Sequence, residues 1–206
     1  MPNNISSFLP LLDPALALST NPHTPIHIDV FQSLLHHHPD QLLVHEVCDS
    51  LRHGVDIGHK GPRVSLRTNN MQSALHNPEV IRDTIKKEIT SGWSAGPFPE
   101  VPFPYFVINS IGVVPKKTGG FRMITDLSRP AEGVNHAINK DEFSLQYAGV
   151  DHAIAILKRI GPLAYMCKLD IKDAFRLIPV RREDWPLLGY QWGKDLFFPY
   201  SASLWP

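Results

Sequence analysis

The apolar positions of this chain switch repeatedly between helical and strand spacing, and the switches divide it into elements. From Asp40 to His53, Leu43, Val47 and Leu51 recur at helical spacing with Val44 and Cys48 beside them. Pro39 and Asp40 open that segment and Gly54 stops it, so an amphipathic helix is expected there. A second helix is expected from Asn77 as cap and Pro78 in the first turn, through Val80, Ile81, Thr84, Ile85 and Ile89, ending before Gly92. Two short β-rich runs, "IGVVPKK" and "FRMITDL", flank Thr118, Gly119 and Gly120 and spell a hairpin with a mobile, glycine-rich turn. Val150 to Ile160 predicts a third helix, with Val150, Ile154 and Leu157 on one side and Gly161 and Pro162 closing it. "LAYMCKLD" then reads as a buried strand ending at Asp170, and "LLGYQW" with "LFF", joined by Gly193, Lys194 and Asp195, as another hairpin. The sum is a mixed α+β chain.

Composition narrows this picture. With 206 residues and 43% apolar content the chain can build a packed core. Its 19 prolines crowd the first 40 residues and the stretch from Pro97 to Pro104, which therefore read as extended connectors. We divide the chain into a loose Pro-rich tail (1–38), a helical region (39–96) and a C-terminal unit (97–206). The two cysteines, Cys48 and Cys167, stand far apart and outside paired-ligand spacing, against a disulfide scaffold or structural zinc site and in favour of a reducing, intracellular setting. The opening residues lack a basic start and are cut by Pro10 and Pro14, so neither a signal peptide nor a membrane span is expected. No internal repeat is visible. Acidic and basic residues balance at 20 each, so only local charge can point to a partner.

Local charge does so in two places. Between Gly112 and Pro130 the hairpin carries Lys116, Lys117, Arg122 and Arg129 against one acid, Asp126, a pattern suited to phosphate oxygens, or to a solvated edge guarded by lysines. In "KLDIKDAFRLIPV", Asp170 and Asp173 follow an apolar run. Such acids either hold a hard divalent ion, magnesium above all, or cap a turn (Asp170) and pair with Lys172 or Arg176 (Asp173). His36, His37 and His38 read as solvated, and His59, Lys60 and Arg63 as a polar loop rather than a nucleic-acid contact. Trp93, Trp185 and Trp192 suit base stacking or packing equally.

Taken together, "GVVPKKTGGFRMITDLSRP", the spacer helix and "KLDIKDAFRLIPV" followed by "LLGYQW" resemble the reverse transcriptases of retroelements over residues 97 to 198. The upstream text "HHPDQLLVHEVCDSLRHGVDIGHKGPR" and "HNPEVIRDTIKKEITSGWSAGPF" resembles the region before the polymerase in DIRS-like retrotransposons of the tyrosine-recombinase type. The resemblance implies the fingers and part of the palm of a right-hand polymerase, preceded by helices. By resemblance Asp170 is the first metal-binding aspartate and Ile171 lends its carbonyl to magnesium. Asp173 and Ala174 meet the triphosphate of a deoxynucleotide through backbone amides, and Phe175 excludes a ribose 2′-hydroxyl by bulk. Arg122 is the fingers arginine on the triphosphate, with Lys116 or Lys117 beside it. The partners implied are an RNA or DNA template–primer duplex and deoxynucleoside triphosphates, in the cytoplasm or nucleus, with template-directed deoxynucleotidyl transfer as the activity.

The chain departs from that family in lacking a Y-x-D-D turn or any Asp-Asp pair, and it has no acid after Asp195. "SASLWP" can be back-translated so that a shifted frame spells Leu-Arg-Leu-Pro, which motivates a frameshift as the origin of that ending. The expectation is a fragment inactive by itself; the alternatives are a non-catalytic nucleic-acid-binding remnant or an unstable pseudogene product.

Overall fold

The computed structural model describes residues 24–130, 132–142 and 147–201. Most of them fold around one sheet. Helices α1 (Ile28–Leu34) and α2 (Gln41–His53) come first, then the short strand β1 (Leu66–Arg67), a helical turn α3 (Gln72–His76) and α4 (Pro78–Thr90). Strands β2 (Ser94–Phe98), β3 (Val107–Pro115) and β4 (Phe121–Asp126), helix α5 (Val150–Ile160), and strands β5 (Gly189–Trp192) and β6 (Asp195–Pro199) follow, with 3-10 turns at Val134–Ala137, Ala174–Leu177 and Arg182–Leu187.

The sheet order is β1-β3-β5-β6-β2, with β4 paired to β3. The long strand β3 changes partners along its length. Its start runs parallel to β1 and β5, Val107 opposite Leu66 and Ile108 opposite Gly189; its end forms the antiparallel hairpin with β4 from Ser110–Asp126 to Pro115–Phe121. The β5–β6 hairpin is the predicted one, closed by Trp192 opposite Asp195.

Period-2 alternation sends neighbours to opposite faces. Phe197 joins Ile111, Val113, Tyr190 and Trp192 beneath Ile81 and Ile85 of α4, while Leu196 and Phe198 join Ala95, Phe98 and Ile108 in a separate cluster. Burying each of these large side chains contributes roughly 1.5–3 kcal/mol. Strand β5 packs so tightly that a Cβ on Gly189 would come within 2.5 Å of the Phe198 ring. A third cluster gathers Ile57, Val107, Leu127, Val134, Val180, Trp185 and Leu187. Asn109, fully buried in β3, donates to the carbonyls of Leu187 (2.8 Å) and Gly189 (3.0 Å) and stitches strand to turn.

The α2 helix starts where expected: the Asp40 carboxylate accepts from the Leu43 amide at 2.9 Å. Its buried stripe is Val44, Cys48 and Leu51, so the inward face is rotated from the expected Leu43–Val47 line, both of which are exposed. Gly54 ends it with φ +87°, and a Cβ there would lie 2.4 Å from the Arg181 amide nitrogen. Only glycine can occupy that crossing.

Several expectations need correction. Within the segment read as a loose tail, Ile28–Leu34 is helical, and Arg52 of α2 holds Asp29 at 2.8 Å and Gln32 at 2.8 Å; the part of that tail before Thr24 lies outside the described residues. Pro97 does not sit in a connector: Ser94–Phe98 is a buried strand, and its place at the edge of the sheet leaves proline's missing N–H without cost. The largest departure concerns "LAYMCKLD", which forms no strand, with Leu163, Tyr165, Met166 and Leu169 all exposed. A strand is stable only when neighbours complete its ladder, and no strand among the described residues pairs with it. Helix α5 has the predicted limits but buries none of its residues.

Candidate functional site

The β3–β4 hairpin presents its cations by simple geometry. The turn closes through the Lys116 amide donating to the Gly120 carbonyl (3.0 Å) and the Gly119 amide to the Lys116 carbonyl (3.1 Å). Gly119 and Gly120 have φ of +90° and +77°, conformations that side-chain-bearing residues resist. Lys116 and Lys117 are exposed at this tip. Arg122, opposite Val114, lies on the hairpin face away from Met123, which packs on the α4 core.

The second predicted segment has a divided environment. Asp170 and Ile171 are exposed on the chain that leads out of α5, with Ile171 65% accessible. Three residues later the chain is docked. Asp173 adopts left-handed backbone angles (φ 52°, ψ 34°), its carbonyl accepts from the Arg176 amide at 2.7 Å, and its carboxylate meets Lys87 of α4 at 3.4 Å. The partner expected for Asp173, Lys172 or Arg176, is therefore replaced by Lys87. Ala174 is half-buried and Phe175 is 57% exposed, so Phe175 is not a core aromatic.

Arg176 reaches instead to Glu88, which is 3% exposed on α4; the other Glu88 oxygen accepts from the Tyr190 hydroxyl at 3.2 Å. Burial pushes the Glu88 carboxyl above the usual carboxylate range, opposed by Arg176, the Tyr190 hydrogen bond and Lys87. Burial, with the Glu88 charge next, raises the Tyr190 phenol well above its ordinary range. The Trp93 ring receives two cations, Lys87 at 4.9 Å and Arg176 at 5.6 Å from its centroid. Sequence reasoning passed over Glu88, although a signal was present: it continues the Ile81–Ile85 stripe and so places a carboxylate on the inward face of α4.

A further buried acid went unmarked. Asp184, fully buried, accepts from Arg63 (2.7 Å), Arg181 (2.7 Å) and the Ile57 amide (3.3 Å), while Arg181 also holds Asp56 at 2.7 Å. Arg63, read as part of a polar loop, is thus a structural clamp whose guanidinium also lies 5.6 Å from the Tyr105 ring centroid. Burial, then the Arg63 charge, lowers the pKa of His59 in the same loop. Trp185 and Trp192 are core residues, 0% and 1% exposed.

A magnesium ion at Asp170 would find one exposed carboxylate and the Ile171 carbonyl. Among the described residues no three histidines, cysteines, aspartates or glutamates converge. A hard divalent cation takes about six oxygens, and a two-ion centre needs several shared carboxylates. The described donors do not fit such a centre. An open polar cavity of about 510 Å³ lies elsewhere, lined by Thr68, Asn69, Asn70, Gln72, Gln191 and Trp192, and none of the predicted site residues borders it. No described helix is long and apolar enough to cross a membrane.

No family model and no curated protein matches the chain. Among solved structures, it is similar to the prototype foamy virus protease-reverse transcriptase at 21% identity and a TM-score of 0.47, over 93% of this chain and 24% of that one. It is also similar to a foamy viral protease-reverse transcriptase in complex with dsDNA (15%, TM-score 0.44, 88% and 39% coverage) and to one with an RNA/DNA hybrid (14%, TM-score 0.43, 96% and 26%). The chain spans well under half the length of these proteins.

Proposed function

We propose that this chain is the fingers and first part of the palm of a retroelement RNA-directed DNA polymerase, of the DIRS-like tyrosine-recombinase type, working in the cytoplasm or nucleus. Its task would be to hold an RNA or DNA template–primer and an incoming deoxynucleoside triphosphate. Lys116, Lys117 and Arg122 would meet phosphate, Asp173 and Ala174 the triphosphate, and Phe175 the sugar. Asp170 and Ile171 would supply part of a magnesium site completed by donors beyond those described.

The order and spacing of the quoted motifs support this reading, and one observation carries it furthest. Two segments far apart in sequence, the basic hairpin and the Asp173–Leu177 turn, are anchored to the same helix: Met123 packs on the Ile81–Ile85 face of α4, and Arg176 and Asp173 bind Glu88 and Lys87 of α4. Phosphate-seeking cations and the candidate nucleotide turn thus belong to one body.

Anisotropy with a labelled RNA–DNA template–primer tests it. Three phosphate contacts predict an affinity loss of roughly 40-fold between 50 and 200 mM salt, and Arg122→Ala should weaken binding and flatten that slope. Binding indifferent to both salt and Arg122→Ala would remove the proposal. The incomplete donor set at Asp170 favours binding without catalysis: no primer extension with magnesium is expected, and extension abolished by Asp170→Ala would show a complete centre instead.

A further inference from the structure

We infer that Glu88, Arg176 and Trp93 form a latch that positions the Asp173–Leu177 turn, and with it the Asp173 and Ala174 amides and the Phe175 ring; its nucleotide-binding consequence rests on the reading above. None of residues 174–177 is buried; the far side of the turn is fixed by Ile178 and Val180 in the third cluster and by the Thr24 hydroxyl donating to the Leu177 carbonyl at 2.6 Å, which leaves Asp173 to Arg176 to be placed by polar contacts. The preceding residues are exposed from Tyr165 through Lys172 and offer no anchor on that side. Left-handed geometry at Asp173, a residue with a Cβ, is disfavoured and persists only where contacts hold it.

Those contacts are polar and directional. Glu88 is fixed from both sides, by Tyr190 of the central strand β5 and by Arg176 of the turn, so the turn is referenced to the core of the sheet. Arg176 Nη1 is buried without a hydrogen-bond partner, and the guanidinium lies near the Trp93 face, whose quadrupole compensates part of its desolvation. Lys87 completes the arrangement, bridging Trp93 and Asp173. A charge this buried strongly favours a single partner geometry, because losing the partner leaves an uncompensated ion. Glu88, Arg176 and Trp93 are positioning residues: none is expected to touch nucleotide itself.

Hydrogen exchange of the full chain without any ligand reads the latch directly. Arg176→Met and the milder Glu88→Gln should accelerate exchange across 174–178 by about tenfold or more while β3, β5 and β6 stay within about twofold, with Trp93→Phe intermediate. In parallel, affinity for dTTP on a template–primer should fall about tenfold in the first two variants. Unchanged exchange at the turn in folded Arg176→Met, or equal acceleration in β5 and β6, overturns the latch. Faster exchange at the turn with wild-type dTTP affinity overturns its positioning role. If the wild type binds no dTTP, the polymerase reading fails, and the exchange data alone then decide the latch.

Discussion

The sheet body and the segment from Val150 to Lys172 carry apolar residues of the same kind but treat them oppositely. In the body, Ile81, Ile85, Tyr190, Phe197 and Phe198 are essentially inaccessible, whereas Val150, Ile160, Leu163, Tyr165 and Leu169 are 62–103% accessible. Helix α5 has as clear an apolar stripe as α4. What differs is that α4 lies on β3, β5 and β6, whereas α5 buries none of its residues against anything described. Amphipathic sequence is therefore a request for a partner, and only the partner converts it into stability.

The comparison can be broken most forcefully at the body's polar clamp. Asp184→Ala strands Arg63 and Arg181 beside a buried void and should cost about 3–5 kcal/mol in denaturant unfolding. A loss below about 1 kcal/mol would mean the clamp is ornamental. Next, paired core and surface truncations set the two regions side by side. Ile85→Ala should cost about 2–5 kcal/mol, and Ile154→Ala should stay within about 0.5 kcal/mol. Similar costs at both positions would show that α5 is packed in solution.

Limited trypsinolysis sharpens the same contrast without mutation. Lys168 and Lys172, on exposed chain, should be cut before any site in β3 to β6, and first cleavage at Lys116 or Lys117 would assign the lower local stability to the hairpin. The smallest effects are those of pH. Glu88 has its pKa raised in the fold, so its favourable contribution is present below 4.5 and is lost as pH rises through the folded value; Glu88→Gln should flatten that decline. His59 is the reverse: with its pKa lowered, its contribution is present above 6.5 and is lost as pH falls through the folded value, and His59→Gln should remove that loss.

Local signals account for most of what was legible. The limits of α2, α4 and α5 follow from Asp40, Gly54, Pro78, Gly92 and Gly161, and both hairpins follow from their glycine turns, because caps and turns depend on residues close in sequence. The candidate site was legible as residue types, the hairpin cations and the Asp170–Phe175 run, but not as an arrangement. Glu88 holding Arg176 joins residues 88 positions apart, and Ile57 to Asp184 spans 127. No local pattern encodes such pairs.

By itself, then, the amino-acid order determined where helices and turns begin and end and which faces are apolar, since these are matters of backbone sterics and spacing. The tertiary structure alone decided that "LAYMCKLD" is no strand, that Pro97 lies in one, and that Glu88 and Asp184 are buried acids. Strand formation and charge burial are free energies of assembly: each depends on what the rest of the chain brings alongside, a ladder partner in one case and a guanidinium in the other.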